Sequence, residues 1–217
     1  MITNVYVDGF NLFYGRLKGS PHKWLNLDTF TRRLLPEHEI HRIRYFTANV
    51  MAWPDDPDKP NRQDFYLRAL ATIPHLSIHL GRFQVSKVRM RLAHPPPEGP
   101  KTAEVIKVEE KGTDVNIGAY LLSDALGGDC EHSVVISNDA DLAEPIRMVC
   151  HDHGLPVGIF NPGRRSMGSW QLQQIPPTFF RHIKTSAFES CQFSEKLQDD
   201  EGEIQRPASW HPDLWLK

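Results

Sequence analysis

His132-Ser133-Val134-Val135-Ile136-Ser137-Asn138-Asp139-Ala140-Asp141-Leu142 decides the fold. The stretch opens as a β-branched apolar run and stops in two carboxylates with one residue between them. A short apolar run bounded by polar residues is the pattern of a strand buried on both faces, as parallel strands are. After it Leu142, Ile146 and Val149 recur at helical spacing, which puts Asp139 and Asp141 in a strand-to-helix turn. In an open α/β sheet such turns lie at the carboxyl ends of the strands, where ligands bind. Capping of the helix explains one aspartate. It leaves the second without a role, so the pair reads as a site.

Working outward, the chain begins in the same way. Asn4-Val5-Tyr6-Val7 is a short strand that runs directly into Asp8-Gly9-Phe10-Asn11-Leu12. Asp-Gly is ordinary turn chemistry, yet two strands each ending in aspartate argue for more than a turn. Asn11 can cap or line the same turn. A third acidic point follows a strand over 104–108, in Glu109-Glu110-Lys111-Gly112-Thr113-Asp114-Val115-Asn116-Ile117. Thr113 or Asp114 is expected to cap a helix over 115–126, and Gly127-Gly128 to stop it. Asp124, several turns further along, reads as structural.

The remaining segments fill in the alternation. Helices are expected over 28–35, capped by Asp28, and over 63–73; strands over 40–46, 76–80 and 155–160. Strands alternating with helices imply an α/β domain with a mainly parallel sheet and right-handed crossovers. Residues 82–103 interrupt the pattern: Arg82, Lys87, Arg89 and Arg91 lead into His94-Pro95-Pro96-Pro97-Glu98-Gly99-Pro100-Lys101, a long hairpin or a mobile basic flap. From about Ser186 the chain turns polar, so the expected division is a domain over 1–185 and a tail over 186–217. Trp210 and Trp215 are expected to dock that tail on the body or on a second copy, which leaves a homo-oligomer open.

Composition narrows the function classes. With 217 residues and a net charge of −2, the chain has core enough for one α/β domain and no global field for polyanions. Any nucleic-acid site must be local. Three scattered cysteines without CxxC spacing point to a reducing compartment. No signal peptide and no membrane-length apolar run are visible, so a cytoplasmic protein is expected. The eleven histidines form no metal motif, and GxGxxG, Walker A and GxSxG are all missing.

A mainly parallel sheet brings Asp8, Asp114, Asp139 and Asp141 to one edge. Carboxylates crowded there need a counter-ion, and an all-oxygen site suits Mg²⁺ or Mn²⁺ rather than zinc. With no paired Ser or Cys nucleophile in evidence, water attacking a phosphodiester is the expected chemistry. The three segments at Val5 to Leu12, Lys111 to Asn116 and Ser137 to Leu142, in that order, resemble the NYN domain, the bacterial LabA-like branch of the PIN-like nuclease superfamily. The resemblance covers roughly residues 1–183. It implies a three-layer α/β/α fold and a metal-dependent ribonuclease site, with Asp8, Asp114, Asp139 and Asp141 as metal-binding acids and Asn11 and Ser137 in support. The mid-helix Glu of the broader PIN pattern has no counterpart, Glu109 or Glu110 lying close instead. Lys111, the flap residues Lys87, Arg89 and Arg91, and Arg164 and Arg165 would then hold RNA phosphates. Two rivals stand beside this reading. One is a catalytically silent RNA- or protein-binding regulator on the same fold. The other is a small-molecule phosphatase, disfavoured because position 10 is Phe where a second Asp is wanted.

Overall fold

The computed structural model describes residues 1–163, 169–175 and 178–215. Its first half runs β1 (Ile2–Asp8), α1 (Gly9–Leu12), a π-helical turn (Phe13–Leu17), α2 (Leu27–Leu34), β2 (Glu39–Ala48), α3 (Lys59–Ala71), β3 (Leu76–Arg91) and β4 (Thr102–Lys111). The second half runs α4 (Thr113–Gly127), β5 (His132–Ile136), a 3₁₀ turn (Ala140–Leu142), α5 (Ala143–His151), β6 (Val157–Asn161), α6 (Trp170–Gln174) and β7 (Phe179–His182). A short α7 (Thr185–Glu189) and the hairpin of β8 (Lys196–Asp199) and β9 (Gly202–Gln205) follow. Seven strands form one sheet in the order β4-β3-β2-β1-β5-β6-β7, parallel except where β4 returns along β3.

The period of two in the strands splits the interior into two cores. Val5 and Val7 of β1, with Val134 and Ile136 of β5, pack under α2, α3 and α7. The residues between them, Tyr6 and Val135, face the other way and join Ile117 and Leu121 of α4, Ile146 and Val149 of α5 and Leu172 of α6. Strands buried on both faces explain the near-continuous apolar runs. The architecture is therefore three layers, helices on either side of a mostly parallel sheet. Among the described residues no helix is long and apolar enough to cross a membrane.

The strand order places a switch point at β1. From there the chain winds outward through β2 and β3, then returns to wind the other way through β5, β6 and β7. Diverging crossovers open a crevice beyond the carboxyl ends of β1 and β5, the usual ligand site of such sheets. Asp8 ends β1 and Ser137 follows β5, so both stand in that crevice.

Several local expectations change. Asn26, not Asp28, caps α2 by accepting from the Thr29 amide at 3.1 Å, while Asp28 pairs with Arg32 and His75 at 2.7 and 3.1 Å. Asparagine serves a cap as well as aspartate does, so pattern alone does not separate them. The α4 cap is Gly112, whose φ of +101° only glycine takes readily, and Glu110 accepts from the Thr113 amide at 3.1 Å. Helix α3 starts earlier, at Lys59, because Pro60 suits a first helical turn. Of the two expectations for residues 82–103 the hairpin is the one seen: β3 and β4 stay paired from Arg82↔Lys111 to Arg91↔Thr102.

The expected polar tail also differs. Ala187, Phe188, Cys191, Phe193 and Ile204 are buried in the core under α2 and α3, with the Phe188 ring 4.9 Å from that of Phe30. Trp210 packs within 6.3 Å of Trp24 and 6.1 Å of Tyr66. Few apolar residues serve this stretch, but each lands on a gap that the rest of the body leaves open. The charges that gave it a tail's composition lie on the outward face, where Asp199 binds Arg68 at 2.6 Å.

Candidate metal centre

Asp8 closes β1 and turns at once into α1. The turn is tight because Gly9 has no side chain: a Cβ there would stand 2.6 Å from the Phe46 carbonyl oxygen. The Asp8 carboxylate is 3 % exposed and held at both oxygens. Its Oδ1 accepts from the Asn11 amide at 2.9 Å and its Oδ2 from the Ser137 hydroxyl at 2.8 Å. Ser137 in turn accepts from the Asp139 amide at 3.0 Å, and the Asn11 side chain accepts from the Asn138 amide at 3.0 Å. The turns after β1 and β5 are thus stitched together through side chains. Asn11 and Ser137 act as positioning groups for Asp8, Asn138 and Asp139.

Asp114 arrives from the opposite direction. β4 runs back along β3 and ends at Lys111, beside Arg82, so α4 starts at the carboxyl edge of the sheet. Its first turn delivers Asp114 to Asp8 and Asp139: one oxygen from each of the three lies within 4.8 Å of the others. They share a cleft of about 350 Å³ with Glu110, Phe10 and Phe83. Among the described residues, those lining it include four carboxylates and no lysine or arginine.

Electrostatics follow from that crowding. Burial pushes the Asp8 carboxyl up to about 6, against its two hydrogen bonds, with Asp139 and Glu110 adding to the rise. Asp114 is pushed up to about 7, by burial first and then by the charges of Asp8, Asp139, Glu110 and Asp141. A site that resists its own ionisation at neutral pH fits a divalent cation.

Asp141 is the expected ligand that stands apart. It is exposed in the turn after Asp139 and lies outside the group of three. Asp139 does double duty, accepting from the Asp141 amide at 3.0 Å as the cap of the 3₁₀ turn while joining the acids. Lys111 is exposed and lies 3.6 Å from Glu109. Lys87, Arg89 and Arg91 are exposed along β3, and among the described residues none of them forms an ion pair. Arg164 and Arg165 lie outside the described residues. Phe83 and Glu110 are cross-strand partners and both face the cleft. By the alternation of a strand, Lys87, Arg89 and Arg91 share the face of Phe83. That face was written in the odd positions of 83–91, although the sequence alone did not say which way it looked.

No family model matches the chain. It is 28% identical to 6-hydroxy-3-succinoylpyridine 3-monooxygenase HspA of Pseudomonas putida, over 96% of this chain and 75% of the relative. Its fold is similar to the crystal structure of a protein of unknown function from Vibrio parahaemolyticus. That likeness has a TM-score of 0.55 at 14% identity, and covers 85% of this chain and 93% of the other. At such identity it speaks for the fold alone.

Proposed function

We propose that the protein is a divalent-cation-dependent endoribonuclease, hydrolysing RNA phosphodiesters with water as the nucleophile. The observation that carries this reading is the meeting of Asp8, Asp114 and Asp139, one oxygen of each within 4.8 Å of the others. An all-carboxylate donor set fits Mg²⁺ or Mn²⁺, and those three residues would hold it with Glu110 beside them. When bound, the ion supplies an acidified water and neutralises charge on phosphate oxygens.

The chain's own groups do the rest. Ser137 and the Asn11 amide lock Asp8 in one orientation before substrate arrives, which is the condition for electrostatic catalysis without reorganisation. Exposed Asp141, beside Glu110 and Asp114 at the rim, is placed to take a proton from water entering there. The strand face bearing Lys87, Arg89 and Arg91 offers phosphate contacts leading away from the acids.

The test is incubation of generic RNA with Mn²⁺, against an EDTA control and the Asp8→Asn variant. Cleavage that needs both the metal and Asp8 supports the reading. RNA bound without cleavage across several substrates would leave a binding module in its place. A second reading, oxygenation of a small heteroaromatic acid, is favoured by one observation, the 28% identity to the monooxygenase across 96% of the chain. Oxygen uptake with a reductant and such an acid, in the absence of any RNA cleavage, would select it.

A further inference from the structure

Beside the acid cleft lies a second cavity of different chemistry, about 190 Å³ in volume. Phe10 and Tyr14 line both, so the two spaces adjoin. The cavity's walls are aromatic: Phe13, Tyr45, Tyr66 and Trp210 complete the set. Tyr45 and Tyr66 stand edge to face at 6.2 Å, and Trp210 reaches the cavity from the C-terminal segment that packs back on the body. A dry apolar cavity of roughly 150 Å³ accommodates a benzene ring. The space here suffices for one substituted six-membered ring.

Among the described residues lining the cavity, the charged ones are of one dominant sign: Lys23, Lys59 and Arg62, with one acid, Asp56, which Arg62 binds at 2.6 Å. Burial and the nearby Arg62 charge lower the Lys23 pKa, and Asp56 opposes that only in part. Cations lining an aromatic cavity suit an anion attached to a ring. Nothing in the acid cleft's chemistry requires this second space.

We infer that the cavity is a ring subsite: it takes one planar six-membered aromatic ring carrying an anionic group, the ring among Phe10, Tyr14 and Trp210 and the anion at Lys23 and Lys59. Its place as a subsite of the reaction rests on the reading of the acid cleft given above; its capacity to bind does not. Two sources share this chemistry, a pyrimidine nucleotide unit and a free aromatic acid.

The test is calorimetric titration of the full chain in EDTA, so that turnover and metal play no part. The probes are cytidine 5′-monophosphate and benzoate, with ribose 5-phosphate as anion without ring and cytidine as ring without anion. One or both of the first pair should bind at least ten-fold tighter than its half-molecule controls. Trp210→Ala should weaken that binding about ten-fold, the scale of removing one stacked aromatic ring. Trp210→Phe should restore most of it, which separates stacking from damage to the fold, and Lys59→Gln should weaken the anionic probe but not cytidine. Asp8→Asn should leave binding unchanged, so a failed nuclease reading would not mask a working subsite. Binding of the nucleotide alone assigns the source to nucleic acid, and of benzoate alone to a small acid. Millimolar-or-weaker binding of both, or binding indifferent to Trp210 and Lys59 in folded variants, overturns the proposal.

Discussion

Asp114 and Asp124 stand on one helix, ten residues and about 15 Å of rise apart, and meet opposite surroundings. Both face β1, whose alternate residues Asn4, Tyr6 and Asp8 line up beneath α4. At the far end Asp124 collects donors: the Tyr6 hydroxyl at 2.7 Å, Arg44 through Nε at 2.8 Å and Nη2 at 2.7 Å, and Asn4 at 3.4 Å. At the near end Asp114 collects acids, Asp8 and Asp139. The first carboxylate is complete within the chain. The second stands among like charges, and on the reading proposed above it is kept for a cation.

The largest expected effect would break this contrast if it failed. Asp124→Ala leaves the Arg44 guanidinium, 7 % exposed, without its carboxylate, and loss of one partner from a buried pair costs about 3–5 kcal/mol. Asp8→Asn in EDTA should cost nothing and raise stability. Asn keeps an oxygen to accept from the Asn11 amide, its NH2 donates to the Ser137 oxygen in place of the bond Asp8 accepted from it, and it removes a charge that Asp139 and Glu110 repel. Urea denaturation of both variants checks the pair. Equal losses would show that the two ends of α4 are alike.

Chemistry should reverse the order. Asp8→Asn is expected to slow RNA cleavage by about 10²-fold, the scale of losing one preorganised electrostatic group. RNA affinity measured in Ca²⁺ should change far less if, as proposed, the strand face carrying Lys87, Arg89 and Arg91 holds substrate away from the acids. Asp139→Asn should lose Mn²⁺ binding by calorimetry while the metal-free protein stays folded. Asp124→Asn, by contrast, should leave Mn²⁺ affinity intact wherever the fold survives.

The sequence disclosed this contrast unevenly, for physical reasons. Asp8 and Asp139 were legible because the first ends, and the second closely follows, a strand buried on both faces, a pattern readable over five or six residues. The structural reading of Asp124 was also available. Its partner Arg44 was not, since nothing in Ile40-His41-Arg42-Ile43-Arg44-Tyr45-Phe46 says which arginine turns inward; the register Tyr6↔Arg44 decides that. Asp141 looked equivalent to Asp139 by spacing. A 3₁₀ turn sends it outward, and turn type is invisible in a two-residue interval. The packing of residues 186–210 was hidden by composition, because a handful of anchors, Phe188, Phe193 and Trp210 among them, does not offset a polar average. The aromatic cavity was hidden too: it draws on α1, β2, α3 and that same segment, which no local pattern links.

pH sharpens the contrast at the acidic end. In the metal-free fold Asp8 takes up its proton near pH 6, whereas a free aspartate does so near 3.8. A folded-state pKa above the unfolded one means that stability is present below the lower value and lost as pH rises through the higher one. The EDTA-treated protein should therefore gain from this group as pH falls from about 7 towards 4, and the gain should vanish in Asp8→Asn. His132 works the other way. Buried and neutral, with a pKa lowered to about 4 by burial and by His38, it draws stability down as pH falls below the free-histidine value of about 6.5. Melting curves of wild type, Asp8→Asn and His132→Gln across that window should separate the two opposing slopes.

The smallest effect concerns the hairpin, where unsatisfied charge is positive. Arg89 faces Glu104 across the strands and Lys87 faces Ile106, so only one of the three cations even has an acid opposite. If they serve phosphates, replacing Lys87, Arg89 and Arg91 with Ala should leave folding unchanged, because all three are exposed. RNA affinity should fall, and its log–log dependence on salt should flatten by about 2–3 units, at roughly 0.7–0.9 for each phosphate no longer neutralised. Removing a charge that the fold already satisfies, as in Arg32→Ala beside Asp28, should not touch that slope. A slope equally indifferent to the hairpin variant would place Lys87, Arg89 and Arg91 with Arg32 as ordinary surface charge, and a polyanion would then have to be held elsewhere, at the acid cleft or by Lys111, Arg164 and Arg165.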